Sequence, residues 1–246
     1  MVRFVLAAAV SMFVVTAFAS AKNSFETDLI KTSGGDLKIT FIGHGSLIFT
    51  YGGKVIHVDP FSKLADYSTL PKADLILITH EHADHLDIEA LNKVRTDKTE
   101  LILTENSAQK VKGGMVMKNG DAKAVDRLKI EAVPAYNLVH KRDSGEPFHP
   151  KGVGNGYVIT FGDKRVYVAG DTENVPEMKG LTNIDVAFLP MNLPYTMTPK
   201  MVADAAKAFK PRILYPYHTG DTDVSKIGEL LKGAQGVGVR LRKMMK

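Results

Sequence analysis

The chain has 246 residues, enough for one sizeable α/β domain or two small ones. Hydrophobic residues make up 44% of it and charged residues 24%, as in ordinary soluble globular proteins. It contains no cysteine, which excludes disulfides and thiolate ligands, so any metal must be held by imidazole and carboxylate groups. The formal net charge of +5 could favour anionic substrates or surfaces, although solubility alone would account for it. The sequence lacks the basic cluster of nucleic-acid-binding proteins, so we expect no nucleic-acid partner.

The first 21 residues have the order of a secretory signal peptide. Arg3 gives a positive start, residues 4–18 are almost entirely apolar, and small residues then permit cleavage after Ala19 or Ala21. The alternative is an uncleaved anchor helix, but the apolar run is short for a bilayer span. We therefore expect a periplasmic or secreted protein, with residues 1–21 removed and no stable membrane anchor in the mature chain.

After a polar stretch at residues 22–35, short apolar runs alternate with glycine turns, a pattern that indicates a meander of antiparallel strands. Residues 74–79 form a continuous apolar run, as expected of a strand buried on both faces. The elements predicted for the first half are strands over residues 37–42, 47–51, 54–58, 74–79 and 101–104, and a helix over residues 88–95.

The second half repeats this plan. Thr198 and Pro199 are a good helix start, with threonine as the cap and proline in the first turn. The elements predicted here are strands over residues 128–134, 156–161, 165–169, 185–189 and 213–217, and helices over residues 198–209 and 224–232. Residues 53–59 also resemble residues 163–171. We therefore predict an α/β fold of two packed mixed β-sheets flanked by helices, an αβ/βα sandwich, in a single domain over residues 22–246.

The strongest chemical signal follows the buried strand at residues 74–79. His80, His82, Asp84 and His85 are four potential ligands within six residues. In a strand-to-helix turn, the first two can point to one side and bind one cation, while the last two turn toward a second. Neutral imidazole and carboxylate suit zinc, manganese or iron.

This motif matches the signature of the metallo-β-lactamase superfamily, and the chain resembles that superfamily over nearly all of residues 37–242. Asp171, in Gly-Asp-Thr after a strand, resembles the aspartate that bridges the two metals. His218, after a late strand, resembles the last histidine ligand. Asp59 resembles the early aspartate that supports the site from behind the ligands. The resemblance implies the αβ/βα sandwich and two divalent cations, for which zinc is the first candidate.

One residue departs from the family pattern. The superfamily normally has a histidine just after the strand predicted at residues 128–134, where this chain has Asn137. His140 and His149 follow. We favour His149 as the missing ligand because it lies in a proline-glycine turn, whereas His140 is interpreted as part of a solvated loop. The predicted ligands are therefore His80, His82, Asp84, His85, His149, Asp171 and His218.

Other side chains are expected near the ligands. Asp59 could accept the free ring N–H of a ligand histidine and fix its tautomer, or it could be a turn carboxylate. His44 could border the site or be structural, and the loop that contains Asn192 could line the substrate cleft together with Asn137. His57 alternates with apolar neighbours and is interpreted as a core residue.

The leading functional hypothesis is an exported metal-dependent hydrolase. A metal-bridging hydroxide would cleave an ester-like bond in a small molecule: a lactone, a phosphodiester or an amide. Asp171 would bridge the metals, and Asp84 would hold one and carry a proton. The sequence Gly-His-Gly-Ser at residues 43–46 resembles the branch with ascorbate-6-phosphate lactonase and N-acylethanolamine phospholipase D type enzymes. The alternatives are a metal-binding protein without efficient turnover and an exported β-lactamase.

Overall fold

The computed structural model describes residues 25–244, in which two mixed β-sheets pack face to face. Each described sheet has seven strands, and neighbours in the sheet are also neighbours in the chain. The first sheet contains β1 (Thr27–Thr32), β2 (Gly35–Gly43), β3 (Ser46–Tyr51), β4 (Lys54–Val58), β5 (Leu75–Leu77), β6 (Glu100–Leu103) and β7 (Met115–Val116). The second contains β8 (Ala122–Val125), β9 (Leu128–Ala135), β10 (Gly154–Phe161), β11 (Lys164–Val168), β12 (Val186–Pro190), β13 (Ile213–Tyr217) and β14 (Gly238–Val239).

Both sheets change from antiparallel to parallel pairing at equivalent points. Strands β1 to β4 form an antiparallel meander, and β4 to β7 then run parallel. Strands β8 to β11 are likewise antiparallel, and β11 to β14 are parallel. As a result, β2, β4 and β5 end at one edge of the first sheet, and β9, β11, β12 and β13 end at one edge of the second. Side chains that follow these strands can therefore meet.

Aromatic side chains fill the space between the sheets. Phe49 and Phe161 face each other with ring centroids 5.5 Å apart, and Phe188 stacks on Tyr215 at 5.1 Å. All four rings are almost fully buried. Complete burial of such a side chain contributes roughly 1.5–3 kcal/mol, so this layer fixes how the sheets are oriented.

The helices cover the outer faces of the sheets. They are α1 (Ile88–Val94), α2 (Glu105–Lys110), a 3₁₀ helix (Pro176–Gly180), α3 (Pro199–Phe209) and α4 (Lys226–Leu230). Asp87 caps α1 by accepting hydrogen bonds from the N–H groups of Glu89 and Ala90. Thr198 caps α3, as predicted, by accepting from the Met201 N–H at 3.1 Å. The sandwich of two mixed sheets with flanking helices confirms the predicted fold class.

No strand was predicted within the polar stretch at residues 22–35, but β1 occupies Thr27–Thr32. Of its side chains only Ile30 is buried, since β1 is an edge strand whose outer side is exposed. The predicted signal peptide at residues 1–21 lies outside the described residues. Within residues 25–244, no helix is long and apolar enough to cross a membrane.

Candidate metal centre

Histidine and aspartate side chains from both sheets converge at the edge where the parallel strands end. Three sets of these side chains have ligand atoms within 4.8 Å of one another: two that share no residue, and a third, His80, His85 and Asp171, that joins them. We call the first set the His149 group; it consists of His80, His82 and His149. We call the second set the Asp84 group; it consists of His44, Asp84, His85 and His218.

Asp171, which follows β11, lies between the two groups. Its Oδ2 is 3.3 Å from Nε2 of His149, and its Oδ1 is 3.5 Å from Nε2 of both His85 and His218. The Asp171 side chain is only 4% exposed. A carboxylate in this position can coordinate cations on both sides.

Asp59 fixes the orientation of His85 from behind. Its Oδ2 accepts a hydrogen bond from Nδ1 of His85 at 2.8 Å, and both carboxylate oxygens accept from Thr79, whose backbone N–H is at 2.8 Å and whose hydroxyl is at 2.6 Å. Asp59 is fully buried, and Ser46 donates to its backbone carbonyl. Because Nδ1 of His85 donates to Asp59, its Nε2 is the ring atom that faces the centre and is left to bind a cation.

The same network assigns the tautomer of His80. The Thr79 hydroxyl has one proton, which it donates to Asp59, so it can only accept from Nδ1 of His80 at 3.1 Å. Nε2 of His80 is therefore deprotonated. It is buried and has no hydrogen-bond partner among the described residues.

Asn137 orients His149. Its Oδ1 accepts hydrogen bonds from Nδ1 of His149 at 2.7 Å and from the His149 backbone N–H at 2.9 Å. The backbone N–H of Asn137 donates to the His149 carbonyl at 2.9 Å. This pairing directs Nε2 of His149 toward Asp171. The residue that replaces the expected histidine thus supports another histidine twelve positions later.

Glu173 supports Asn137 in turn. Its carboxylate is fully buried and accepts from the backbone N–H groups of Leu138, Val139 and His140, each at 2.7 Å. It also accepts from Nδ2 of Asn137 at 3.2 Å and from Nδ1 of His140 at 2.6 Å. Burial raises the pKa of Glu173, but these backbone N–H groups lower it below its usual range. A charged Glu173 therefore fixes the start of the loop that contains His149.

The Asp84 group is closed by contacts between loops. Nε2 of His44 is 2.9 Å from Oδ2 of Asp84, and the His44 ring lies 3.7 Å from the His218 ring, centroid to centroid. Nδ2 of Asn192 lies 3.3 Å from Nδ1 of His218. The backbone N–H of His218 donates to the His44 carbonyl, which ties the edges of the two sheets together.

The donor atoms fit divalent cations. His80, His85 and His149 all turn Nε2 toward the centre, and Oδ1 of Asp171 is buried without a hydrogen-bond partner among the described residues. A buried polar atom without a partner costs about 1–3 kcal/mol, which a cation between these atoms would offset. Imidazole nitrogens with carboxylates are the ligand set that zinc accepts.

The charges in the centre also suit cations. Burial raises the pKa of Asp171, but the surrounding histidines, above all His218 and His85, lower it well below its usual range. Burial and the neighbouring His85 lower the pKa of His80. Burial lowers the pKa of His85, yet the carboxylates of Asp171, Asp59 and Asp84 raise it to about 9. The Asp171 carboxylate is thus ionised, and a cation would displace the second ring proton of His85 and expose the Nε2 lone pair.

Three non-glycine residues of the centre have left-handed backbone conformations. The φ angles are 46° at His44, 44° at Asp59 and 45° at His218. Histidine and aspartate adopt this conformation more readily than most residues, although it still costs free energy relative to glycine. The sharp turns direct each side chain inward as soon as its strand has ended.

The sequence and the fold are similar to those of known proteins. A β-lactamase superfamily domain model matches residues 38–218. A UPF0173 metal-dependent hydrolase from Flavobacterium johnsoniae is 36% identical over 177 residues, which cover 65% of this chain and 75% of the relative. This chain belongs to the UPF0173 metal-dependent hydrolases of the β-lactamase superfamily.

Solved structures support this membership. A protein from Parabacteroides distasonis that is proposed to be a metal-dependent hydrolase is 53% identical, with a TM-score of 0.86 over 90% of this chain and all of that chain. A metallo hydrolase from Ignicoccus hospitalis is 26% identical, with a TM-score of 0.70 over 85% of this chain and 96% of that chain. The more specific lactonase-like branch stays a prediction.

The structure of this UPF0173 member brings the predicted ligands together, and it places His44 among them. Their roles as ligands stay a prediction. Asn137 and Asn192 contact His149 and His218, respectively, as described above. The seven predicted ligands all belong to the two groups or to Asp171 between them.

The structure contradicts one interpretation of a nearby histidine and agrees with another. The interpretation of His140 as part of a solvated loop is wrong, because its ring is half-buried and bonded to Glu173. His57 is a core residue, as interpreted: it is 1% exposed, and its Nε2 lies 3.0 Å from the Pro71 carbonyl. Sequence reasoning missed Glu173, because an acidic residue in a short turn has no pattern that distinguishes it from a solvated one.

Proposed function

We propose that this protein is an exported hydrolase that uses two divalent cations to cleave an ester-like bond in a small molecule. Zinc is the first candidate for these cations. The lactone, phosphodiester and amide bonds expected from the sequence remain the candidate substrates, with the lactonase-like branch preferred. Members of its family are named metal-dependent hydrolases.

One observation carries this proposal. The Nε2 atoms of His80, His85 and His149 converge on the buried carboxylate of Asp171 from two sides. Such an arrangement is costly without cations and favourable with them. The adjoining cavity of about 480 Å³ is lined by members of both groups and is large enough for a small substrate.

The residues of the chain have separate tasks in this scheme. When bound, two divalent cations supply a nucleophile at neutral pH and polarise the carbonyl or phosphoryl group that is attacked. Asp171 contacts both groups and so fixes their position relative to each other. The Asp84 side chain is 36% exposed and lines the cavity, so its Oδ2 can carry a proton to a leaving group. His44, at 2.9 Å, holds that oxygen in place.

Metal content measured by mass spectrometry tests the cation proposal, with wild type beside His149→Ala and Lys151→Ala. Lys151 is an exposed residue of the same turn, where it pairs with Glu177 at 2.9 Å, and it serves as the matched control. We expect about two equivalents in wild type and in Lys151→Ala, and about one in His149→Ala. One equivalent or none in all three proteins would favour a binding protein without turnover.

Hydrolysis assays test the reaction itself. The zinc-loaded protein is offered a γ-lactone, bis(4-nitrophenyl) phosphate, an anilide and a chromogenic cephalosporin. We expect turnover of at least one of the first three, abolished by chelation and restored by zinc. Turnover of the cephalosporin alone would instead identify a β-lactamase.

The N-terminal sequence of protein expressed from the full chain tests export. We expect the periplasmic or secreted protein to begin at Ser20 or Lys22, since cleavage is predicted after Ala19 or Ala21. A product that retains residues 1–19 would contradict the signal peptide.

A further inference from the structure

We propose that Arg142 selects substrates with an anionic group, carboxylate or phosphate, on the part of the molecule that is not cleaved. This inference rests on the proposed hydrolase function and specifies its substrate class. It arises from the residues that line the cavity beside the ligands.

Arg142 lines the same cavity as Asp84, His149 and Asp171. Among the described residues that line this cavity, it is the only lysine or arginine. Asp84 and Asp171 are committed to the cations and would repel an anionic group. A carboxylate or phosphate that enters the cavity beside the centre would therefore have Arg142 as its cationic side-chain partner.

A short hairpin turn holds Arg142 at the cavity. The backbone N–H of Arg142 donates to the Glu146 carbonyl at 2.8 Å, and the Gly145 N–H donates back to the Arg142 carbonyl at 2.9 Å. A further bridge joins Lys141 to Pro147. The base of this turn leads directly to Phe148 and His149, so the position of Arg142 is coupled to that of a proposed ligand.

The side chain of Arg142 is held as well. Nη2 donates to the Phe148 carbonyl at 3.3 Å, and the guanidinium carbon lies 5.1 Å from the centroid of the Phe148 ring. A guanidinium has five N–H donors in a planar fork that matches carboxylate and phosphate oxygens, and one carbonyl does not exhaust them. Less side-chain freedom is lost on binding when the fork is already oriented.

An aromatic wall adjoins this cation. Phe148 and Tyr195 meet edge to face with centroids 5.0 Å apart, and both line the cavity. Tyr195 is 45% exposed, so it offers apolar surface to a ligand. The cavity therefore suits a substrate whose apolar section lies between the scissile bond and the anionic group.

Neighbouring cations do not share this position. Lys141 is exposed and is absent from the residues that line the cavity, and Lys151 pairs with Glu177. Lys141→Met therefore serves as a matched control for Arg142→Met: both changes remove one charge from the same turn, but only the second removes it from the cavity. Arg142→Lys keeps the charge and loses the planar fork.

Matched esters test the inference on the zinc-loaded protein. Mono-4-nitrophenyl glutarate carries a free carboxylate, and 4-nitrophenyl butyrate is its neutral counterpart. We expect kcat/KM of wild type to favour the glutarate ester, and we expect this preference, the ratio of the two kcat/KM values, to fall about tenfold in Arg142→Met. Arg142→Lys should retain part of the preference and Lys141→Met all of it. The preference should also shrink between about 0.05 M and about 0.5 M salt.

Binding separates this inference from the proposed function. Calorimetry compares glutarate and 4-phosphonobutyrate with butyrate, each of which has one carboxylate for the metals. We expect the dianions to bind about tenfold more tightly than butyrate, and only through Arg142; the stronger of the two identifies the preferred anion. If this holds while neither these esters nor the lactone, phosphodiester and anilide are cleaved, the hydrolase proposal fails and the anion site stands. Equal binding by all three, no binding of the dianions, or the same preference in Arg142→Met would overturn the inference.

Discussion

The two groups of the metal centre are built by different means. In the Asp84 group, the buried carboxylate of Asp59 contacts a histidine ring directly, and the contact joins residues that each follow a strand of one sheet. In the His149 group, the buried carboxylate of Glu173 acts through Asn137, on a loop between β9 and β10. The first group therefore depends on the sheet and the second on a loop.

The comparison shows that one requirement can be met in two ways. Each proposed ligand histidine needs an acceptor for its Nδ1–H, so that Nε2 faces the cation. Asp59 and Glu173 are both 0% exposed and both accept backbone N–H groups. Glu173 reaches His149 only through the side chain of Asn137, whereas Asp59 contacts His85 directly. We therefore expect the His149 group to bind its cation more weakly than the Asp84 group.

The largest expected effect comes from Asp171→Ala, because this carboxylate serves both groups. We expect both equivalents of metal to be lost and kcat/KM to fall at least about a thousandfold. Metal analysis and hydrolysis assays measure this, with circular dichroism as a check on folding. A variant that still holds two equivalents would show that the groups do not share Asp171.

Asp59→Asn should weaken the Asp84 group. The introduced amide would present N–H groups to donors at Thr79 and His85. Loss of the hydrogen bond that orients a ligand histidine typically costs about 10–100-fold in metal affinity. Competition with a coloured chelator gives the two affinities, and we expect only the tighter one to fall. Asp74→Asn is the control, because Asp74 also accepts a backbone N–H from a neighbouring strand but lies far from the centre. Unchanged affinities would mean that β4 alone orients His85.

Glu173→Gln should weaken only the weaker site, by about tenfold. The amide cannot accept from all of the donors that Glu173 now satisfies, so the start of the loop would loosen. The same chelator competition measures this, beside Glu177→Gln, whose side chain is partly exposed and pairs with Lys151. A fall in the tighter affinity instead would reverse the assignment of the two sites.

The smallest effect concerns the stability of β4, which ends directly before Asp59. Burial lowers the pKa of His57 from 6.5 to about 4. Since the folded-state pKa is the lower one, stability is lost as pH falls from about 6.5 toward 4, by roughly 2 kcal/mol at pH 5. Urea unfolding of metal-free wild type and His57→Gln should show a loss by about pH 5 that is about 2 kcal/mol larger in wild type. Parallel losses would mean that His57 is protonated in the folded state.

Much of the fold could be predicted because its signals are local. Continuous apolar runs marked strands such as β5, and Thr198-Pro199 marked the start of α3. The His80–His85 segment was recognisable because its potential ligands are adjacent in sequence. β1 was missed because Ile30 is its only buried side chain, with exposed residues on both sides of it, as on many edge strands.

The supporting contacts could not be predicted, because they join residues far apart in the chain. Glu173 and Asn137 are 36 residues apart, and neither segment carries a pattern that indicates the other. His44 lies 40 residues from Asp84. Such pairs become visible only when the two sheets bring their edges together. The choice of His149 over His140 rested on a rigid turn, but the structural reason for its orientation is the amide of Asn137.

The left-handed backbone at His44, Asp59 and His218 sets two selective pressures against each other. At Asp59 the side chain itself resists replacement, because glycine would leave the Thr79 donors buried without an acceptor. At His44, which is partly exposed, glycine would relieve about 1–2 kcal/mol of backbone strain, so screens for heat resistance would reward its introduction there. Selection for turnover would reject the same change, because glycine has no side chain to hold Asp84 in place. A stabilising mutation gathered without an activity assay would therefore fall at a position where it impairs the protein.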